Sequence, residues 1–130
     1  MNSTDRVMQS YGRCCASPAF FDKFYNNFLA SSPSIRERFV NTDMRSQKDL
    51  LRSGIMNLVL YARGMSDAKL RHLGQSHSRS ALNIHPDLYG LWLESLLQTV
   101  KEHDLKVTTE DLVAWREVLE DGISLIKSYY

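Results

Sequence analysis

A short segment in the middle of the chain, Lys69–His77, reads KLRHLGQSH and ends an amphipathic pattern on a histidine. Leu70 and Leu73 recur at the spacing of one helix face, so the segment predicts a short helix that ends near His77. A neutral imidazole in that position can ligate a metal ion, and its second ring nitrogen then needs a hydrogen-bond acceptor, which Ser76 can supply. Taken alone, the pattern is more typical of an ordinary, partly buried histidine.

The composition sets the broad class of protein. The 130 residues carry 16 basic and 15 acidic side chains, for a net charge of +1, and 43% of them are hydrophobic. This length predicts one domain, residues 1–130, with enough apolar side chains for a core. The balanced charge disfavours binding to nucleic acid or to an anionic membrane. No apolar run is long enough to cross a bilayer and the N-terminus lacks a signal core, so we expect a cytoplasmic protein.

The two cysteines, Cys14 and Cys15, are adjacent in the sequence. Neighbouring cysteines cannot bridge each other without strain, which argues against a disulfide framework. We therefore expect reduced thiols on a helix.

Helix signals recur along the whole chain. Capping residues and proline-started segments alternate with apolar faces of helical period, and no run alternates polar and apolar residues as a strand would. We therefore predict an all-α fold of about six to eight helices. The predicted helices begin near Ser3 or Thr4 and end near Ala16, then span about Ser17–Ala30, Pro33–Phe39, Asp43–Arg63 with Thr42 as cap, Ser66–His77, Pro86–His103, and Thr108 onward. Apolar stripes on the last two helices predict that these two face each other.

Three motifs carry a resemblance to a known family. They are FFDKFYNNFL at Phe20–Leu29, IRERF at Ile35–Phe39 and LGQSH at Leu73–His77. Their order and approximate spacing resemble those of bacterial single-domain globins and of the globin domain of flavohaemoglobins, over Tyr11–Lys127. The resemblance implies a globin fold that encloses a haem pocket, with His77 as the axial ligand of the iron. Because the chain has no Cys-x-x-Cys-His attachment motif, the expected cofactor is haem b.

The resemblance also implies roles for side chains around the haem. Tyr25 falls where these globins carry a distal tyrosine, which can donate a hydrogen bond to a gas ligand, and Phe39 falls where a phenylalanine packs against the haem. Tyr89 and Trp92 are expected on the proximal side, with a role in the core as the simpler alternative, and Arg79 could pair with a haem propionate. Without the resemblance, Tyr25 is typical of a core tyrosine bonded to a backbone carbonyl, and Arg79 of a solvated surface residue.

The helix after Thr42 admits two distal registers. Gln47 and Leu51 lie one turn apart on one face and resemble the distal Gln-x-x-x-Leu pattern of flavohaemoglobin-type globins, which is the register we prefer. A gapless extension from Phe39 would instead place Ser46 and Leu50 over the iron.

The other histidines are weaker candidates for the ligand. His72 lies five residues before His77, about 140° away around the helix, so both cannot face one haem. His85 precedes a proline that starts a helix, and His103 lies in a charged helix end. We expect all three to be solvated.

Two functional hypotheses follow. The first is a haem protein that reversibly binds oxygen, nitric oxide or carbon monoxide. We expect an oxygen-binding protein rather than a dedicated enzyme. Nitric oxide dioxygenation is a further activity that a separate reductase could support. The alternative is a globin-fold sensor or a haem-free helical interaction module, because fold alone does not dictate function. Either protein would be a monomer or a homodimer.

Overall fold

Seven helices and no strand make up the computed structural model, which describes residues 1–130. The helices are α1 (Ser3–Cys15), α2 (Phe20–Ala30), α3 (Pro33–Arg38), α4 (Met44–Ala62), α5 (Ala68–Ser76), α6 (Asp87–His103) and α7 (Thr109–Lys127). This confirms the all-α prediction. None of the helices combines the length and hydropathy that a membrane span requires.

Helix starts follow the local capping chemistry, with small shifts from the predicted residues. Asp43 caps α4 in place of the predicted Thr42, and its carboxylate accepts a backbone N–H of the first turn. Asn2 caps α1 in place of Ser3 or Thr4. Both differences arise because an Asn or Asp side chain is at least as good an acceptor for the free N–H groups as a neighbouring hydroxyl.

The central helix of the packing is α7, which contacts α1, α4, α5 and, less extensively, α6, whereas α6 packs mainly on α2. Trp115 and Leu119 of α7 are fully buried, and Phe24 of α2 lies edge-on to Trp92 of α6, with ring centroids 6.0 Å apart. The prediction that α6 and α7 face each other is therefore only partly correct, because the two helices touch but each packs more extensively on other helices. Each apolar stripe was correctly read as a buried face, but other helices cover it.

Two glycines allow α5 to approach its neighbours closely. A methyl group at Gly74 would lie 2.7 Å from the ring of Tyr129, just after α7. A methyl group at Gly122 on α7 would collide with Leu58 and lie 2.9 Å from Leu70. The helix that leads to His77 thus packs so closely that a side chain at either glycine would force its neighbours to shift.

A buried carboxylate fixes the end of α6 to α1. Asp104 has no exposed surface and accepts hydrogen bonds from Ser10 Oγ at 2.7 Å and Arg13 Nε at 2.6 Å. Trp115 Nε1 donates to the same serine oxygen at 2.9 Å. Burial acts to raise the pKa of Asp104, but the hydrogen bonds from Arg13 and Ser10 outweigh it and hold the pKa below its usual range. From the sequence, this segment reads only as a charged helix end. The buried role of Asp104 was not visible there, because its hydrogen-bond donors lie on α1, about 90 residues earlier in the chain.

Candidate functional site

His77 lies at the C-terminal end of α5 and is half-buried. Its Nδ1 is 2.9 Å from the hydroxyl of Tyr89 on the first turn of α6, whereas Nε2 makes no hydrogen bond within the chain. One nitrogen is thus held by a neighbour and the other is free to bind a ligand. This is the arrangement that a metal-ligating histidine requires.

The residue that orients the imidazole differs from the predicted one. Ser76 was expected to accept a hydrogen bond from His77, but its Oγ donates to the backbone carbonyl of Leu73 at 2.8 Å. A serine in the last turn of a helix readily bonds back to a carbonyl of the preceding turn, which uses its hydroxyl proton locally. The hydroxyl of Tyr89, rather than that of Ser76, is therefore the hydrogen-bond partner of the His77 imidazole. The sequence placed Tyr89 on the proximal side but could not show this contact.

Electrostatics favour the neutral imidazole. Burial, and secondarily the positive charge of Arg38, lower the pKa of His77. Burial raises the pKa of Tyr89 to about 12, so its hydroxyl stays protonated at neutral pH. Only an unprotonated nitrogen can ligate a metal, and proximal burial therefore prepares His77 for that role.

Arg38 is a neighbour of the site that sequence reasoning missed. Its guanidinium donates to the backbone carbonyls of Leu82 at 3.3 Å and Asn83 at 2.6 Å, which joins α3 to the loop between His77 and α6. Arg79, the predicted propionate partner, is exposed, and its guanidinium lies 4.8 Å from the ring centroid of Tyr130. No periodic signal marks Arg38, because its partners are backbone atoms far along the chain.

Tyr25 occupies the core side of α2. It is 5% exposed, and its hydroxyl donates to the backbone carbonyl of Gln47 at 3.0 Å. Burial raises its pKa to about 12, with the hydrogen bond to Gln47 acting in the opposite direction. The phenol therefore stays protonated and able to donate at neutral pH. In this structure it donates to a backbone carbonyl, as expected for a core tyrosine.

Phe39, which directly follows α3, packs next to this tyrosine. Its ring centroid lies 6.1 Å from that of Tyr25 and 6.0 Å from that of Phe28. Phe39 is half-buried, while the other two rings belong to the core. The three residues form an aromatic wall between α2 and α3, suitable for a flat apolar ligand.

Helix α4 buries the residues of one of the two predicted registers and exposes those of the other. Leu51 is 6% exposed and Gln47 is half-buried. Leu50 is 63% exposed, and Ser46 is an exposed residue whose Oγ donates to the capping carboxylate of Asp43 at 3.0 Å. Gln47 and Leu51, rather than Ser46 and Leu50, therefore lie on the inner face.

The remaining histidines lie in different surroundings. His72 and His85 are exposed, as expected. His103 was expected to be solvated as well, but it is half-buried, and its Nδ1 lies 2.9 Å from Ser17 Oγ. The turn between α1 and α2 brings Ser17 to the end of α6, a contact with no local sequence signal.

The donor set fits a metal that arrives with its own ligands. No group of three or more His, Cys, Asp or Glu side chains lies together anywhere in the chain. A bare metal ion at His77 would have a single protein ligand, too few for a stable site. Porphyrin supplies four nitrogen ligands itself and needs only an axial one, so a half-buried histidine with one ring nitrogen free suits haem.

Comparison with known proteins agrees with this geometry. The Globin family model matches residues 22–124 of the chain. A solved structure of a protein from Pseudomonas aeruginosa PAO1, described as structurally highly homologous to a human haemoglobin, is 66% identical with a TM-score of 0.97. The similarity covers 99% of this chain and 98% of that one. Among curated proteins, none is significantly similar to the chain.

Proposed function

The chain belongs to the globin family, and from this membership we propose that it holds haem b through Nε2 of His77 and reversibly binds oxygen or another diatomic gas. Family membership implies haem binding, and haem iron, when bound, supplies an open coordination position for oxygen, nitric oxide or carbon monoxide. The side chains of this protein then determine how the haem is held and how the bound gas is stabilised.

The observation that carries the proposal is the pairing of His77 with Tyr89. Coordination through Nε2 requires that the imidazole proton sit on Nδ1, which then donates to the Tyr89 oxygen 2.9 Å away. Because burial keeps the Tyr89 hydroxyl protonated, the acceptor is neutral and does not pull the proton off the imidazole. The pair therefore fixes the ring orientation and keeps His77 a neutral ligand.

On the distal side, Tyr25 and Gln47 are the proposed gas-stabilising residues. Donation to a gas ligand requires that the Tyr25 hydroxyl leave the Gln47 carbonyl, to which it is bonded at 3.0 Å. That carbonyl belongs to α4 and keeps its acceptor role in the helix, so releasing the tyrosine leaves no buried group unpaired. The net gain on gas binding is the difference between two hydrogen bonds, so it is at most the net contribution of one such bond, about 0.5–1.5 kcal/mol.

The test of the proposed haem ligand compares two histidines of the same segment. His77→Ala removes the proposed ligand, whereas His72→Ala removes an exposed histidine five residues earlier. We expect the reduced, haem-loaded His72→Ala protein to retain the iron–histidine stretching band in its resonance Raman spectrum and His77→Ala to lose it. Retention of the band in His77→Ala would assign the ligand to another residue.

Nitric oxide dioxygenation is the activity that the flavohaemoglobin resemblance adds. Repeated turnover consumes electrons, which we propose that a separate reductase supplies. In the presence of oxygen, we expect the reduced, haem-loaded protein to consume more than one equivalent of nitric oxide per haem only when an electron donor is present, measured with a nitric oxide electrode. Consumption at an equal rate without a donor would oppose this assignment.

A further inference from the structure

The loop between α5 and α6 folds back onto the backbone of the proposed haem ligand. We call residues 78–84 the proximal loop. The N–H of Leu82 donates to the carbonyl of Ser76 at 3.0 Å, and the N–H of Ile84 donates to the carbonyl of His77 itself at 2.9 Å. The far end of the proximal loop is therefore bonded directly to the residue that carries the imidazole.

Asn83, near the end of this loop, has a left-handed backbone conformation. Its φ is +53°, and no other residue apart from glycine has a positive φ. Most side chains collide with the backbone in this region, whereas asparagine tolerates it. The N–H of Asn83 donates to the carbonyl of Ser78 at 2.8 Å, which holds the reversal of the chain. The residue type at position 83 thus affects the shape of the loop, although the side chain is exposed.

Two distant parts of the chain bond to Asn83. The guanidinium of Arg38, the last residue of α3, donates to the backbone carbonyl of Asn83 at 2.6 Å. The hydroxyl of Tyr130, which follows α7, donates to the side-chain Oδ1 of Asn83 at 2.7 Å. One partner lies 45 residues before Asn83 and the other 47 residues after it. This residue therefore connects the loop to both α3 and the end of α7.

Tyr130 is in turn held by side chains next to the loop. The guanidinium of Arg79 lies 4.8 Å from the centroid of the Tyr130 ring, and the ring of His85 meets it edge-on with centroids 5.7 Å apart. The preceding Tyr129 packs so closely on Gly74 of α5 that a methyl group there would lie 2.7 Å from its ring. The end of α7 therefore lies along α5 and the proximal loop, on both sides of His77 in the sequence.

We propose that Asn83 is a positioning residue for His77, which ties the proximal loop to Arg38 and Tyr130 and so sets the direction from which the imidazole meets the haem iron. The inference rests on the proposed ligation by His77 and adds a second support to it. Tyr89 fixes the rotation of the ring through Nδ1, whereas Asn83 fixes the backbone from which the ring projects. Groups that orient a ligand in this way affect the strength of its bond to the metal.

The first measurement is amide hydrogen exchange at Ile84 in the purified chain with hemin added, because this N–H bonds to the carbonyl of His77. We expect Asn83→Ala to accelerate exchange about tenfold, since it removes the acceptor for Tyr130 and strains the backbone. Tyr130→Phe removes only the hydrogen bond and should accelerate exchange about threefold. Asn83→Asp keeps the acceptor and tolerates the left-handed conformation, so it should exchange like the wild type.

The second measurement is the iron–histidine stretching band in the resonance Raman spectrum of the reduced protein, which reports on the bond itself. In Asn83→Ala the band should broaden and fall in frequency, because the imidazole is held less firmly. The same change should be smaller in Tyr130→Phe and absent in Asn83→Asp. A role of Asn83 in loop stability alone would alter exchange at Ile84 and leave this band unchanged.

Each type of variant has a matched control. Tyr61→Phe deletes the hydroxyl of a half-buried tyrosine on α4, and Asn41→Ala replaces an exposed asparagine without a positive φ in the turn before α4. Both should match the wild type in exchange at Ile84 and in the Raman band. A band that is present in the wild type and unchanged in Asn83→Ala, or an equal exchange rate in these two proteins, would overturn this inference alone. Absence of the band in the wild type would overturn the ligation by His77 and this inference with it.

Discussion

Each nitrogen of His77 has a separate task in this account, because Tyr89 holds Nδ1 and leaves Nε2 for the iron. Partners of this kind around metal-bound histidines affect how firmly the metal is held. We expect Tyr89→Phe to bind hemin but to lose it about tenfold faster than the wild type, as measured by transfer to an excess of a hemin-binding acceptor. Tyr61→Phe serves as the control. Equal loss rates for the wild type and Tyr89→Phe would mean that the contact is incidental.

Tyr25 is tested by removal of its hydroxyl alone. If the hydroxyl donates to bound oxygen, its removal in Tyr25→Phe should accelerate oxygen release. We expect an increase of only about three- to tenfold, because the hydroxyl gives up its bond to the Gln47 carbonyl when it stabilises the gas. Carbon monoxide carries less negative charge on its outer atom, so its release should change less. Rapid mixing of the reduced, haem-loaded protein measures both rates.

Variants in the two registers of α4 test which of its residues faces the bound gas. Gln47→Leu should accelerate oxygen release, by less than Tyr25→Phe does, since Gln47 is on the inner face. Ser46→Ala should leave the rate unchanged, since its hydroxyl is engaged with Asp43. A faster release in Ser46→Ala than in Gln47→Leu would show that the other register faces the gas.

Between helices, the contacts at the glycines determine how tightly α5 and α7 approach. Gly122→Ala introduces a methyl group against Leu58 and Leu70, which we expect to destabilise the fold by about 1–3 kcal/mol despite the better helix propensity of alanine. Gly54→Ala on α4 meets nothing within 4 Å and should stabilise the fold by about 0.5–1 kcal/mol. Urea unfolding measures both values. A stable Gly122→Ala protein would mean that α4, α5 and α7 are less tightly packed.

The carboxylate that joins α6 to α1 predicts a dependence of stability on pH. The folded-state pKa of Asp104 lies below its ordinary value of 3.8, so the ionised group stabilises the fold above that value. This contribution is lost as the pH falls through the folded-state pKa. We expect Asp104→Asn to lower the free energy of unfolding at pH 7 by about 2–4 kcal/mol and the gap from the wild type to narrow below pH 4.

A matched variant separates this effect from a general loss of charge. Asp121 is an exposed carboxylate without an ion pair, so Asp121→Asn should stay within about 0.5 kcal/mol of the wild type at either pH. Denaturant titrations at several pH values compare the three proteins. A constant gap between Asp104→Asn and the wild type down to pH 2 would rule out this titration.

The limits of the helices were predictable, whereas their partners were not. Capping residues such as Thr108 act on nearby backbone groups, so their chemistry is visible in the sequence. The pairing of α6 with α2 depends on which apolar faces meet, and a stripe of helical period does not name its partner. For the same reason Ser76, a sequence neighbour of His77, was preferred over Tyr89, which reaches the imidazole from the next helix.

Across the whole molecule, the fold was predictable because its short motifs occur in a fixed order around a shared core. All seven helices contribute buried or partly buried apolar residues to one cluster, which supports the proposal that residues 1–130 form a single domain. The residues with the most specific chemistry, His77, Tyr25 and Phe39, were recognisable from the resemblance. Contacts made across long stretches of chain, including those of Arg38 and Asp104, were accessible only from the structure.

The most direct test of haem binding is an absorption titration of the protein with hemin. If His77 ligates haem, a Soret band should grow linearly and stop at about one hemin per chain, with a b-type spectrum after addition of pyridine and reductant. His77→Ala should give a weaker, shifted band without a sharp end point. A wild-type protein that remains colourless, or that titrates like His77→Ala, would contradict the assignment of His77 as the haem ligand.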